Sequence, residues 1–329
     1  MQRAPDAVNA LPLGGAVLAV DIGGTWTRVC WAGPTGLREV RREPTPGPAG
    51  ESIVDVVVRL GHEVLASGVP APALIGVSAT GPVDIVSGRL FAPPNAPGLS
   101  DVSLGEELAA RLGLPVRVDR DTNAALLAES AVGAATDAPN AVYMTISTGV
   151  GGAVLLNGRL LRGADGVAGE IGHIVVVPGG PVCGCGRRGC LEAVASGSGL
   201  GLAGTELAQR DPGGHLGRRL ADCAARGVGT LRGVDVAEAA RAGDASALAL
   251  LSRASAAVVS AVVDLVNVFN PEVVVLGGAI TFANPEWAPM AEAAVRAQGL
   301  RPASKRAEVR LAHLGGSAEL IGAALLAWD

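Results

Sequence analysis

Four residues able to bind a metal lie close together near the middle of the chain. His173 is followed by Cys183, Cys185 and Cys190. Three thiolates and one imidazole complete a tetrahedral zinc site, and a site without an open position is structural rather than catalytic. Glycines within the same loop would let the backbone wrap around an ion. The alternative is a set of free cysteines in a tight loop, which the spacing disfavours. The sequence therefore predicts a structural zinc site.

Three glycine turns, each at the end of an apolar strand, could bind phosphate groups. The residues concerned are Asp21, Gly23, Gly24 and Thr25 in the first turn, Thr148 and Gly149 in the second, and Gly277 and Gly278 in the third. Glycine lets backbone N–H groups approach phosphate oxygens closely, and a carboxylate at such a turn can hold Mg²⁺ through water. Arg28 could add positive charge. One such turn would also fit an ordinary hairpin, but three fit a nucleotide site better.

Three carboxylates stand where a polar ligand could be bound. Asp121 lies where a strand, 115–120, meets a helix, 122–132, so it could serve as a general base for a hydroxyl group. Spacing alone favours the alternative that Asp121 or Thr122 caps this helix. Glu170 and Glu192 flank the cysteine loop and could hold a polyhydroxylated ligand, although most glutamates are simply surface residues.

The elements around these residues repeat a pattern. An apolar strand at 16–22 is followed by a glycine turn and a second strand at 26–32, and the same order begins again at 141–147 and 153–161, with Asn157–Gly158 as a hairpin signal. Two such hairpins predict a duplicated α/β protein of two domains. Residues 1–15 are rich in Pro, Ala and Gly and predict a flexible leader.

Composition narrows the possible functions. The 329 residues carry 26 cationic and 31 anionic side chains, which disfavours nucleic-acid binding by bulk charge. Lys305 is the sole lysine and follows no glycine loop, so a P-loop is excluded. Polar residues interrupt the longest apolar stretch, 254–269, and we expect no membrane span. The odd count of five cysteines, with no apolar signal segment at the start, predicts a cytoplasmic protein.

The ordered motifs resemble the ROK family of sugar kinases and related repressors. The segment GVAGEIGHIVVVPGGPVCGCGRRGCLEAVASGSGL is the most specific, and DIGGTWTR, ATGPVD, APPNAPG, DTNAALLAE, STGVGG, NPEVVVLGG and AELIGAALLA occur in that family's order. The resemblance covers essentially residues 16–329. It implies an actin-like ATPase fold, related to ribonuclease H, with a nucleotide cleft between two α/β domains. The small domain would be 16–119 plus 317–329, and the large domain 120–316.

The resemblance also implies an ATP-dependent hexokinase-type enzyme of carbohydrate metabolism, which would convert glucose to glucose 6-phosphate. Asp121 would be the catalytic base. The sugar contacts would be Asn95, Asp121, Glu170, His173 and Glu192. ATP and Mg²⁺ would be held by the residues of the three glycine turns, and His173 would join the three cysteines on zinc. A homodimer or homotetramer is common in this family, and we expect neither nucleic acid nor a membrane as partner.

One position departs from the family's pattern. Most kinases of the family have asparagine where this chain has Arg120, and arginine is larger and cannot accept a hydrogen bond. Pairing with Asp121 would weaken the base.

Two alternative functions follow: a sugar-sensing regulator with weak or no kinase activity, or a kinase for N-acetylmannosamine or N-acetylglucosamine. Only about 15 residues precede the first apolar strand, which we expect to be too few for a DNA-reading domain. A phosphate donor other than ATP, such as polyphosphate, is also compatible with the sequence.

Overall fold

A computed structural model describes residues 10–47, 50–91, 99 and 101–329. Within these ranges the strands are β1 (Val17–Ile22), β2 (Trp26–Gly33), β3 (Gly36–Pro44), β4 (Leu74–Ala79), β5 (Val83–Asp84), β6 (Arg89–Leu90), β7 (Val116–Arg120), β8 (Ala141–Ile146), β9 (Val150–Leu156), β10 (Arg159–Leu160), β11 (Val273–Gly277) and β12 (Glu308–Leu311).

The helices of the described residues are α1 (Ile53–Ala66), α2 (Leu104–Leu112), α3 (Asp121–Val132), α4 (Leu191–Ala195), α5 (Gly197–Arg210), α6 (His215–Ala224), α7 (Gly233–Arg241), α8 (Ala245–Phe269), α9 (Ala279–Ala283), α10 (Trp287–Gln298), α11 (Ala303–Arg306) and α12 (Ala318–Leu326). The predicted helix at 122–132 is confirmed, and it begins one residue earlier, at Asp121. Arg120 is its N-cap, so neither Asp121 nor Thr122 has the cap position considered from the sequence.

Two five-stranded sheets have the same strand order. The first runs β3-β2-β1-β4-β7 and the second β10-β9-β8-β11-β12. In the first sheet β1 pairs antiparallel with β2, whereas β4 lies parallel to both β1 and β7. In the second sheet β11 lies parallel to β8 and β12. The repeated hairpin in the sequence therefore predicted a real repeat of topology.

The first sheet separates two layers of helices. Leu18, Val20 and Ile22 of β1 belong to a buried apolar cluster with α1. Because side chains alternate across a strand, the residues between them face the opposite layer. That layer contains α12, which packs so closely that a Cβ on Gly76 of β4 would overlap the carbonyl oxygen of Ala323.

The chain divides into two compact units. The first contains Met1–Pro139, Ala153–Gly169 and Ala312–Asp329, and the second contains Asn140–Gly152 and Glu170–Leu311. The predicted small domain, 16–119 plus 317–329, is smaller than the first unit. Besides the predicted leader, the additional parts are residues 120–139, which include α3, residues 153–169, which contain most of β9 and all of β10, and residues 312–316.

Helix α8 is the one described helix that is long and apolar enough to cross a membrane. Half of its most apolar 18-residue window is buried. It packs against α4, α7 and α10 of the second unit. These contacts are those of a core helix in a folded domain.

Candidate functional site

A row of polar residues crosses the first sheet near the carboxyl ends of its parallel strands. Asp21 of β1 lies in register with Ser78 of β4, which lies in register with Asp119 of β7, and Arg28 of β2 stands opposite Asp21. We refer to Arg28, Asp21, Ser78 and Asp119 as the polar row. Each of the three residues on β1, β4 and β7 precedes the last residue of its strand and is buried. Residues paired in register share one face of a sheet, so these side chains face the same helix layer.

Both carboxylate oxygens of Asp21 accept hydrogen bonds within the polar row. Its Oδ2 atom accepts hydrogen bonds from Arg28 Nε at 2.9 Å and Arg28 Nη2 at 2.7 Å. Its Oδ1 atom accepts from Ser78 Oγ at 3.2 Å. A buried carboxylate needs a counter-ion and hydrogen-bond donors, and here both are supplied by neighbouring strands.

Arg28 also binds the start of α12. Its Nη2 atom lies 3.2 Å from Glu319 Oε2, and its Nη1 atom donates to the carbonyl oxygen of Gly316. The sequence suggested that Arg28 could supply charge to a phosphate, but the structure engages its guanidinium with two carboxylates and a carbonyl. Burial, together with the negative charge of Asp21, raises the pKa of Glu319 to about 7, against the lowering effect of Arg28.

The first glycine turn leaves its backbone accessible. Gly24 and Thr25 are exposed, and the N–H of Gly23 donates to Trp26 O at 3.0 Å. Thr45 fixes the turn from the neighbouring strand end, because its hydroxyl donates to Gly23 O at 2.7 Å. The turn therefore holds one shape while Gly24 and Thr25 remain open to a ligand.

Asp121 lies at the first position of α3 and is partly exposed. Its Oδ1 atom accepts from the N–H of Thr122 at 2.7 Å. The adjacent Arg120 is 4% exposed, and its guanidinium donates to the carbonyl oxygen of Ala168. Asp121 directly follows β7, and Asp21 lies near the end of β1. Because β1 and β7 both run parallel to β4, both carboxylates lie at the carboxyl edge of the first sheet. Asn95, predicted as a sugar contact, lies outside the described residues.

The predicted metal ligands converge in the second unit. The ligand atoms of His173, Cys183, Cys185 and Cys190 all lie within 4.8 Å of one another. His173 Nδ1 is 3.5 Å from Cys183 Sγ, and the sulfurs of Cys185 and Cys190 are 3.7 Å apart. Zinc bonds of about 2.3 Å to sulfur and 2.0–2.1 Å to nitrogen, at tetrahedral angles, require separations of about 3.8 Å and 3.6 Å. The donor set therefore fits a zinc ion.

Glycine is required in this cysteine loop. Gly186 and Gly189 adopt φ of +85° and +76°, in the left-handed region. A Cβ on Gly189 would also overlap the carbonyl oxygen of Val177. The loop can fold around its four potential ligands only because these positions have no side chain.

Glu170 and Glu192 border the cluster on different sides. Glu170 Oε2 lies 4.0 Å from His173 Nε2, the ring nitrogen that does not face Cys183. Glu192 Oε2 accepts from the N–H of Val150 at 3.0 Å, and its Oε1 atom lies 4.0 Å from Cys183 Sγ. Glu192 therefore connects the cysteine loop with the residue that follows the second glycine turn.

The second and third glycine turns lie side by side. Gly277, the last residue of β11, is in register with Thr145 of β8, and Gly278 has a φ of +92°. A Cβ on Gly278 would overlap the backbone of Ile146. The start of α5 closes the second turn, since Ser198 N donates to Thr148 O at 3.0 Å. The structure thus places Thr148, Gly149, Gly277 and Gly278 together at one end of the second sheet.

Two buried or half-buried carboxylates of the first unit were missed from the sequence. Asp119 precedes the last residue of its strand, as Asp21 does. The similar sequences VDI at 20–22 and VDR at 118–120 could have indicated that Asp119 occupies a position equivalent to that of Asp21. Glu319 begins an apolar helix after paired glycines, which gave no indication of Arg28 as its partner.

The sequence profile of the ROK family matches residues 17–329, and the chain belongs to that family. A glucokinase of Halalkalibacterium halodurans is 35% identical, over 93% of this chain and 92% of that protein. An N-acetylmannosamine kinase of Yersinia pestis is 35% identical, over 95% and 98%. The crystal structure of a ROK glucokinase from Streptomyces griseus in complex with glucose and AMPPNP is 31% identical, with a TM-score of 0.73 over 95% of this chain and 99% of that one.

These similarities confirm the predicted family and the predicted actin-like α/β fold of two domains. The relatives described above are sugar kinases, and they support the expectation of an ATP-dependent hexokinase-type enzyme.

The shifted pKa of Glu319 predicts a pH-dependent stability. Because the folded-state pKa lies above the usual value of 4.5, the contribution of this group is complete below that value and is lost as pH rises through about 7. Glu319→Gln removes the ionisation. In metal- and nucleotide-free protein, we expect the Tm of the variant relative to wild type to be higher at pH 8 than at pH 5. The same difference at both pH values would contradict the assignment.

Proposed function

We propose that the chain is an ATP-dependent hexose kinase that phosphorylates the 6-hydroxyl of glucose. The observation that carries the proposal is that Asp21, beside an exposed glycine turn at the end of β1, and the partly exposed Asp121, directly after β7, lie at the same carboxyl edge of the first sheet. A phosphoryl-transfer site needs one carboxylate near the phosphates and one near the attacking hydroxyl. The similarity to a glucokinase solved with glucose and an ATP analogue supports the same assignment.

Asp121 is proposed to be the catalytic base. Its position at the first residue of α3 favours negative charge, because the N-terminal end of a helix is electropositive. The carboxylate would accept the proton of the sugar hydroxyl as that oxygen attacks the γ-phosphorus in line. The new oxygen–phosphorus bond replaces the bond to the β-phosphate oxygen, and ADP leaves with that electron pair.

The glycine turns are proposed to bind the nucleotide. The contributing residues would be Gly23, Gly24 and Thr25 of the first turn, Thr148 and Gly149 of the second, and Gly277 and Gly278 of the third. Asp21 would hold Mg²⁺ through water, and the ion would neutralise charge on the phosphate oxygens. The residues fit this role, since Gly24 and Thr25 are exposed while Asp21 is anchored by Arg28 and Ser78.

The sugar is proposed to contact Asn95, Asp121, Glu170, His173 and Glu192. Glu170 and Glu192 are carboxylate acceptors held against the cysteine loop. His173 would coordinate zinc through Nδ1, which faces Cys183, and this leaves Nε2 for the sugar. Zinc would stiffen the loop that carries these contacts and would take no part in the chemistry.

A second candidate is supported by one observation. The N-acetylmannosamine kinase of Yersinia pestis is as similar in sequence as the glucokinase relative. An N-acetylated hexosamine would meet the same base and the same phosphate turns, so the difference would lie in the sugar contacts. A cytoplasmic homo-oligomer remains the expectation for either substrate.

The zinc proposal predicts one ion per chain. Cys185→Ser, at an exposed position of the cluster, should abolish bound zinc, because a serine hydroxyl is a poor replacement for a thiolate ligand. Cys223→Ser is the control, since Cys223 is buried elsewhere in the second unit and outside the cluster. The measurement is elemental analysis of purified protein. Stoichiometric zinc in the Cys185 variant would contradict the assigned ligand set.

Replacement of the base tests the assigned chemistry. Asp121→Asn should lower kcat by about 10²–10⁴, because general-base catalysis contributes that range. The fold should be unchanged, since the amide oxygen can still accept from Thr122. Asp55→Asn, which removes an exposed ion pair with Arg111 on the helices α1 and α2, is the control and should retain wild-type kcat. The readout is coupled ADP release, and near-wild-type turnover in Asp121→Asn would overturn the role.

A further inference from the structure

Asp119 is a buried carboxylate that the proposed chemistry does not use. Its side chain is 3% exposed, and Oδ2 accepts from Arg162 Nε at 2.8 Å. Oδ1 accepts from the backbone N–H of Arg120 and from Asn123 Nδ2, both at 2.7 Å. A carboxylate buried without such partners would destabilise the fold strongly, so the three donors are a structural requirement of the site.

Two hydrogen bonds of Asp119 hold residues on either side of Asp121 in the chain. One fixes the backbone N–H of Arg120, the residue immediately before the base, and another fixes the side chain of Asn123, two residues after it. Between these points the chain changes from the extended backbone of β7 to the helical backbone of α3. A single carboxylate oxygen therefore holds both sides of the bend at which Asp121 is presented.

Arg162 connects this bend to a second segment of the first unit. The guanidinium of Arg120 donates to the carbonyl oxygen of Ala168, in the same segment. Two arginines thus fasten residues 162–168 to the end of β7. These bonds therefore hold residues 162–168 against the end of β7, which directly precedes the proposed base. The same segment precedes Glu170, a proposed sugar contact, by one residue in the chain.

We propose that Asp119 is a positioning residue for Asp121, an inference that rests on the proposed function. Asp119 acts by fixing the strand-to-helix bend, so that the Asp121 carboxylate stays in line with the attacking hydroxyl. A displacement of about 1 Å in a catalytic group can cost about 10²-fold in rate. Four of the five proposed sugar contacts are other side chains, so sugar binding is affected much less.

Asp119→Asn is the direct test. The amide keeps the size of the side chain but places an N–H₂ group where a carboxylate oxygen accepted a bond. We expect kcat for the best sugar to fall by about 30–100-fold, while KM for that sugar changes by less than about threefold. In an Asp121→Asn background the same change should cost little more, because the base it positions is already absent.

Glu129→Gln is the matched control. Glu129 is a fully buried carboxylate in the same helix, about 12 Å along α3 from Asp121, and it accepts the N–H groups of Ala134, His313 and Leu314. Its replacement should lower Tm by an amount similar to that in Asp119→Asn, with kcat within about threefold of wild type. If both variants lose kcat equally, or if Asp119→Asn keeps wild-type kcat, Asp119 is only a structural residue.

Arg162→Gln keeps the proposal testable if Asp119→Asn does not fold. Arg162 is partly exposed, and its loss removes one of the three donors to Asp119. We expect about a 3–10-fold loss of kcat at unchanged KM, and a loss confined to Tm would overturn the proposal. These outcomes require an active wild-type protein. Absence of wild-type turnover with every sugar would instead overturn the proposed function, and this inference with it.

Discussion

The first unit depends on burying two carboxylates in one sheet. Asp21 and Asp119 are almost completely removed from solvent, and each is neutralised by an arginine outside its own strand, Arg28 for one and Arg162 for the other. Unpaired charges in that environment would destabilise the fold strongly. Because these two carboxylates lie near strand ends, the interactions that stabilise the sheet also fix the first glycine turn and the bend from β7 to α3, where the chemistry is proposed to occur.

Helix α12 contacts both the strand next to Asp21 and the helix that begins with Asp121. It approaches β4 at Gly76 and α3 at Gly322, where an added Cβ would overlap the carbonyl oxygens of Ala323 and Ala124 respectively. Its first turn carries Glu319, the second acidic partner of Arg28. A shift of α12 would therefore disturb the support of Asp21 and the packing of the helix that begins with Asp121. Contacts this close leave no room for even one added methyl group.

Much of the site could be predicted from local sequence. The cysteine spacing and its glycines specify a loop that brings four ligand atoms together, because all the necessary residues lie within 18 positions. The repeated hairpin pattern predicted a duplicated α/β architecture, and the two sheets do share one strand order. The strand and helix on either side of Asp121 were also evident, since alternation and helical periodicity are properties of short segments.

The interactions that hold the site together could not be predicted in this way. Arg28 and Glu319 are 291 residues apart, and Asp119 and Arg162 are 43 apart. Pairings of this kind depend on how the whole unit folds, and a single sequence contains no local signal for them. The same reason explains why residues 153–169 belong to the first unit, whereas the predicted boundary placed them in the large domain.

The most direct measurement is ADP release by the zinc-loaded protein with Mg²⁺-ATP, in the presence of glucose, mannose, fructose, N-acetylglucosamine or N-acetylmannosamine. The account predicts sugar-dependent turnover, with the highest kcat/KM for glucose. A higher kcat/KM for an N-acetylated sugar would still identify a sugar kinase but would change its assigned substrate. Sugar-dependent thermal stabilisation without any ADP release would contradict the account, because it would describe a sugar-binding protein with the fold of a kinase.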